Sequence, residues 1–194
     1  MSILNINEYM RKISSSGGMK FEEYKFIAEL VTKLAPCNML VFSMGRDSKL
    51  WNFINKGRTV FLEDNKEWIN KIKEPDMEWY EVEFKVPRNE WHNRTIRRDP
   101  ELVVDLPVSI TDASWDIILV DGPLGGYDGT ETGNGPGRAQ SIFTAYHLSN
   151  PSTHIFIHDC KREIERGCGG ILFDERSLHN IEDLNYFKPQ VNVS

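Results

Sequence analysis

Apolar residues fall along this chain in two rhythms. From Phe21 to Leu34 they occur at Tyr24, Ile27, Ala28 and Val31, the three-and-four spacing of a helix with one buried face, and Pro36 ends it. Elsewhere they run unbroken, as in Met39-Leu40-Val41-Phe42, Thr59-Val60-Phe61-Leu62, Ile117-Ile118-Leu119-Val120 and His154-Ile155-Phe156-Ile157. Short continuous runs of this kind suit strands buried on both faces of a parallel sheet. Between the runs lie helix-like segments, one through Leu50, Trp51 and Ile54 with Asp47 or Ser48 as its cap, one through Trp68, Ile69 and Ile72, and one through Ile142, Ala145 and Tyr146. Trp79 to Phe84 alternates as a further strand, and Leu184 to Phe187 adds one from the tail. Strands alternating with helices predict an α/β fold of Rossmann-like type, a mostly parallel central sheet with helices on both faces and ligand beyond the carboxyl ends of the strands.

Three stretches resist this pattern. Residues 1–19 end in Ser14-Ser15-Ser16-Gly17-Gly18 and read as a flexible lead-in to a domain spanning 20–194. The segment from Pro87 to Pro107 is charged and poorly periodic, so no element is assigned to it. Leu124 to Gly137 is a long glycine-rich loop.

Composition narrows the function classes. The 194 residues include 23 Lys and Arg against 29 Asp and Glu, a net charge of −6 that argues against a nucleic-acid or anionic-membrane partner. The aliphatic run Ile117 to Val120 is far short of the ~20 residues that span a bilayer, and the polar N-terminus has no apolar signal core. A cytoplasmic chain is expected from the sequence as it stands, and the odd set Cys37, Cys160 and Cys168 points to a reducing compartment.

The chemistry gathers at the strand ends, which carry Gly45-Arg46-Asp47-Ser48, Glu63-Asp64, Asp121-Gly122 and His158-Asp159. A glycine after the first strand admits a ligand to the backbone, and Glu63 after the second can accept hydrogen bonds from both ribose hydroxyls of an adenosine cofactor. The first turn is not G-x-G-x-x-G, because Ser43 and Asp47 stand where glycines would admit a pyrophosphate. An acidic turn suits S-adenosylmethionine, which is cationic and phosphate-free, with Asp47 near its methionine end. The plainer reading is that Gly45 permits a tight turn and Asp47 caps a helix.

Several separated words then match one pattern. Pro36 to Ser48, Gly57 to Asp64, Trp115 to Pro123, Pro136-Gly137-Arg138 and His158 to Glu165 together resemble the glucuronoxylan 4-O-methyltransferase family of plants, also called the DUF579 polysaccharide-biosynthesis family. The resemblance covers roughly residues 36–165 and implies a class I methyltransferase that uses S-adenosylmethionine to methylate a sugar hydroxyl of a glycan. Its cofactor residues would be Gly45, Asp47, Ser48, Glu63, Asp64, Asp121 and Gly122. Three departures accompany it. Ser43 replaces the family's usual first glycine, the loop before Pro136 is longer, and the membrane anchor that places plant members in the Golgi lumen has no counterpart here. Two other functions follow from these departures: methylation of a small hydroxylated molecule, and a non-catalytic factor in polysaccharide synthesis that retains the fold.

A sugar hydroxyl needs help to lose its proton, and His158, Asp159 and Asp121 are the candidate catalytic groups. Asp121 and Asp159 follow successive buried strands and can together hold a divalent cation, with His158 as base or third ligand. Equally, Asp121 can serve the cofactor, Asp159 can cap a helix and His158 can be a satisfied sheet histidine. Arg138 follows Pro136-Gly137 and either binds a substrate carboxylate or pairs with Asp121 or Glu165 to hold the loop. Arg162 and Glu165, three apart, read as a surface pair, and Trp91 and His92 as packing or as the wall of a glycan groove.

Overall fold

The computed structural model of the chain describes residues 3–124 and 136–190. Seven strands form one sheet: β1 (Met39–Phe42), β2 (Thr59–Glu63), β3 (Glu78–Glu81), β4 (Ile117–Val120), β5 (His154–Ile157), β6 (Leu178–Ile181) and β7 (Leu184–Phe187). Their spatial order is β3-β2-β1-β4-β5-β7-β6, with β1 to β5 all parallel and β7 antiparallel to both β5 and β6. The order reverses between β1 and β4, the switch point at which α/β sheets open a crevice.

The unbroken apolar runs are explained by burial on both faces. Leu40, Phe42, Leu62, Ile118, Val120 and Ile157 pack toward α7 (Ala139–Leu148) and α8 (Glu163–Leu172). The alternate residues Met39, Val41, Phe61, Ile117, Leu119 and Phe156 pack toward α2 (Phe21–Leu34), α3 (Ser48–Ile54) and α4 (Lys66–Ile72). Because successive strand side chains point to opposite faces, polar residues at these positions would be buried without partners. The helix spacing in α2 does what it predicts, since Tyr24, Ile27, Ala28 and Val31 are all buried.

Two stretches differ from expectation. Residues Ile3–Ser15, expected to be flexible, form helix α1, and Met10, Ile13 and Met19 are buried in the same core as α2. The Tyr9 hydroxyl donates to the Arg46 carbonyl at 2.6 Å, and the Arg46 guanidinium donates back to the Ser16 carbonyl. The Ser/Gly composition of 14–18 describes a turn between two packed helices. Residues 88–102, left without an element, contain two 3-10 turns and α5 (Trp91–Ile96), and α6 (Val108–Thr111) follows. Trp91 packs against α8 so closely that a Cβ on Gly167 would sit 2.4 Å from its ring, which makes Trp91 a packing residue. The glycine-rich loop predicted from Leu124 to Gly137 lies largely outside the described residues. No helix among the described residues is long and apolar enough to cross a membrane.

Candidate functional site

Register brings the four strand ends into one row. Phe42 lies level with Leu62 and Val120, and Val120 with Ile157, so the next residue of each strand emerges at the same edge. The ladder runs one step further: Ser43 donates to the Leu62 carbonyl at 2.8 Å, Asp121 to Phe42 at 3.1 Å and His158 to Val120 at 3.0 Å. Beyond this edge lies a cleft of about 530 Å³, lined by Ser43 to Asp47, Glu63 to Asn65, Trp68, Asp121, Arg138, His158, Asp159 and Arg162. That volume is within the ~300–1,000 Å³ of small-molecule sites. Ile13 and Gly17 to Met19 close one side, so the stretch expected to be a tether is a wall of the cleft.

At the β1–β2 end, the backbone and two carboxylates shape the space. Ser43 has a φ of 132°, a conformation natural to glycine. Gly122 is required by close approach, since a Cβ there would fall 2.7 Å from the Ser43 Cβ and 3.0 Å from the Phe42 carbonyl oxygen. Glu63 accepts from the Met44 N–H at 2.6 Å and the Asn65 N–H at 2.9 Å, one through each oxygen. The Ser43 hydroxyl makes a long contact with Oε2 at 3.5 Å, and Oε1 keeps a second acceptor site. Burial outweighs these bonds and pushes the Glu63 carboxyl up to about 7. Asp47 precedes α3 but does not cap it through its side chain; its Oδ2 accepts from the Trp51 indole at 2.9 Å. Burial and the nearby Asp121 charge push Asp47 up to about 6. The Ser48 hydroxyl is turned back to the Gly45 N–H at 2.9 Å, and Asp64 is exposed.

At the β4–β5 end the charges are paired. His158 Nδ1 lies 2.8 Å from Asp121 Oδ1, and its Nε2 lies 3.4 Å from Glu23 Oε2. Burial opposes the charged ring, but carboxylates at both nitrogens carry its pKa up to about 10. Asp121 stays below its ordinary range despite burial, because His158 and Arg138 face it. Arg138, at the start of α7, is 4% exposed and reaches Asp121 at 3.3 Å, Asp159 at 2.8 Å and Glu165 at 4.0 Å. It also donates to the carbonyls of Pro123 and His158. Of the two readings of Arg138, pairing with Asp121 and Glu165 is the arrangement the side chains adopt, with Asp159 as a third carboxylate around it. Arg162 Nη1 lies 2.8 Å from Asp159, and the Arg162–Glu165 pair is not at the surface, because Glu165 is 1% exposed.

Asp121, His158 and Asp159 place ligand atoms within 4.8 Å of one another. Two carboxylates and an imidazole fit a divalent cation by donor chemistry. The same atoms are held here by Arg138 and Arg162 and by the contact of the His158 ring with Asp121, so an ion would replace the guanidinium contacts rather than add to them. Glu23 escaped the sequence reading. At the third position of α2 it has the signature of a surface capping residue, and nothing in its spacing points 135 positions along the chain.

A parallel sheet that reverses at β1/β4, with a cleft over the strand ends, is the fold of class I methyltransferases, and solved structures agree. MycE methyltransferase of the mycinamycin biosynthetic pathway, solved with Mg, SAH and mycinamycin VI, matches with a TM-score of 0.56 at 13% identity over 95% of this chain and 55% of its own. A TehB-like SAM-dependent methyltransferase from Corynebacterium glutamicum matches at 0.53 and 15% identity over 96% and 97%. The chain belongs to the IRX15/IRX15L/GXM family, matched over residues 22–101 and 92–187. Its relatives in Arabidopsis thaliana include Protein IRX15-LIKE, 35% identical over 91% of this chain and 63% of the relative. Glucuronoxylan 4-O-methyltransferase 1 is 35% identical over 74% and 57%, and Arabinogalactan O-methyltransferase 2 is 30% identical over 87% and 66%. The chain thus spans less than two thirds of the length of these relatives.

Proposed function

We propose that the chain is an S-adenosylmethionine-dependent O-methyltransferase acting on a sugar hydroxyl of a glycan. The observation that carries this is the row of strand ends, which puts Glu63 and Asp47 at one end of the cleft and the ion-paired Asp121 and Asp159 at the other. Glu63 would take the ribose hydroxyls, Gly45 and Gly122 would admit the ligand to the backbone, and Asp47 would face its cationic end. When bound, S-adenosylmethionine supplies a methyl carbon open to attack by a hydroxyl oxygen on the side opposite sulfur. The residues of the chain must orient that hydroxyl and accept its proton. His158 faces a carboxylate at each ring nitrogen, Asp121 at 2.8 Å and Glu23 at 3.4 Å, so both nitrogens are already engaged and the ring is not assigned as the base. Asp159 lies in the cleft wall, and its carboxylate is the group assigned to accept the proton, with Arg138 and Arg162 fixing its orientation. A divalent cation held by Asp121 and Asp159 would lower the pKa of a coordinated hydroxyl.

The relatives named as glucuronoxylan and arabinogalactan methyltransferases support a polysaccharide acceptor. Labelled S-adenosylmethionine with a panel of uronic-acid-bearing glycans, neutral glycans and phenols tests the reading. Label should pass to a glycan, and Asp159→Asn should lower turnover by about a hundredfold while leaving cofactor affinity within about twofold. Transfer to phenols alone, or equal loss of affinity and turnover, would overturn it.

A further inference from the structure

Glu23 is fully buried on α2, although a carboxylate at the third position of a helix ordinarily needs only to reach back to one N–H at the surface. Its Oε2 does so, accepting from the Lys20 N–H at 2.5 Å, but the side chain does more. The same oxygen lies 3.4 Å from His158 Nε2, and Oε1 accepts from the Asp183 N–H at 2.7 Å. Asp183, in the turn between β6 and β7, holds the exit of β5: its carbonyl accepts from Cys160 at 2.8 Å and its carboxylate from Lys161 at 2.5 Å. One buried carboxylate thus ties the start of α2, the β6–β7 turn and the His158 ring together. A capping role alone explains neither the burial nor the contact with His158, because burying a carboxylate costs several kcal/mol unless it is paired.

We infer that Glu23 is a positioning residue for methyl transfer: it fixes the plane of the His158 ring from the Nε2 side, and through that ring the orientation of Asp121 at the acceptor end of the cleft. The inference rests on the proposed reaction for its kinetic effect. Its geometric content stands apart from that reaction. With Glu23 in place the ring is hydrogen-bonded to Asp121 Oδ1 at 2.8 Å on the Nδ1 side and faces the Glu23 carboxylate at 3.4 Å on the Nε2 side. Without Glu23 the ring keeps one bond and can turn about it, and Asp121 and Arg138 lose their common reference. Glutamine is isosteric but has only one acceptor oxygen, so it cannot serve both Asp183 on one side and Lys20 and His158 on the other.

The test is a double-mutant cycle of Glu23→Gln and His158→Ala on the full chain, read by methyl-transfer kinetics, S-adenosylhomocysteine calorimetry and thermal melting. Glu23→Gln should lower kcat by about tenfold or more with cofactor affinity within about twofold, the scale of losing an orienting neighbour. In the His158→Ala background the same change should leave kcat within about twofold. An equal loss of kcat in both backgrounds means that Glu23 acts only through stability and overturns the inference, as does an unchanged kcat in the single variant. If the wild-type chain transfers methyl to no acceptor, the proposed function has failed, and the inference is decided by nitrogen-15 NMR of the histidine rings. The wild type should show exchange-protected protons on both His158 ring nitrogens, and Glu23→Ala should lose the one on Nε2. Should Glu23→Ala not fold, Glu23→Gln should show that proton broadened or shifted, and a His158 spectrum identical to wild type would overturn the inference.

Discussion

Replacing Ser43 by glycine should stabilise the protein. Ser43 leaves β1 with a φ of 132°, where an L-residue is strained by about 1–3 kcal/mol. Two effects oppose the relief. Glycine adds unfolded-state entropy worth about 0.5–1 kcal/mol. The Ser43 hydroxyl also gives up its contact with Glu63, but at 3.5 Å that contact is long, and its net worth is at most about 0.5 kcal/mol. The balance favours Ser43→Gly by about 1 kcal/mol, which for a chain of this size raises Tm by about 2–4 °C. Thermal melts and urea unfolding read it directly, and the midpoint should rise with an unchanged denaturant slope. A Tm equal to or below wild type would show that the backbone there is not strained or that the hydroxyl does more than its distance allows. A rise would also explain the family resemblance at this turn, where serine stands in place of a glycine that the backbone still calls for.

Two further outcomes follow from the charged groups. Because the Glu63 carboxyl sits at about 7 when folded, above its ordinary value, its contribution to stability is present below about pH 4.5 and is lost as pH rises through 7, whereas under the proposed function its ionised form would accept the ribose hydroxyls. S-adenosylhomocysteine affinity should therefore weaken as pH falls from 8 to 6, and Glu63→Gln should bind weakly with only the shallower slope near pH 6 that Asp47 leaves; an undiminished slope in the variant assigns it elsewhere. Arg138→Met should destabilise by about 3–5 kcal/mol in urea, since it strands carboxylates that Arg138, itself 4% exposed, now compensates. A loss under about 1 kcal/mol would mean that those carboxylates take up protons or water at little cost.

The strands were legible because burial on both faces leaves an unmistakable mark: Ile117 to Val120 and His154 to Ile157 occur where their apolar runs place them. Helix α2 was legible because it buries one face. Helix α5 was not, since only Thr95 on it is buried and its docking is made by Trp91 against Gly167, a contact between segments about 75 positions apart. Helix α1 was hidden by its serine-glycine end, although Met10 and Ile13 bury on the core side. At the cleft, the strand-end rule put Glu63, Asp121, His158 and Asp159 at the edge that they line. It could not say what surrounds them, because Glu23 and Arg138 arrive from helices that the rule does not address.

That difference decides the chemistry. Asp47, Glu63, Asp121 and Asp159 are alike in sequence, each a carboxylate at the end of a buried strand or in the turn that follows it, and only their partners separate them. Among the described residues, no Lys, Arg or His lies within 4.0 Å of the Asp47 or Glu63 carboxylates, whereas Arg138 and His158 face Asp121, and Arg138 and Arg162 face Asp159. Burial then acts oppositely at the two ends, raising the first pair toward neutrality while the cations keep Asp121 ionised. Carboxyl groups driven apart in this way take different tasks. The unpaired end is stabilised by any ligand that brings donors or positive charge, and the paired end already balances its own charge. Under the proposed function, a cationic nucleoside would sit at Glu63 and Asp47, and the hydroxyl whose proton leaves would sit at Asp159.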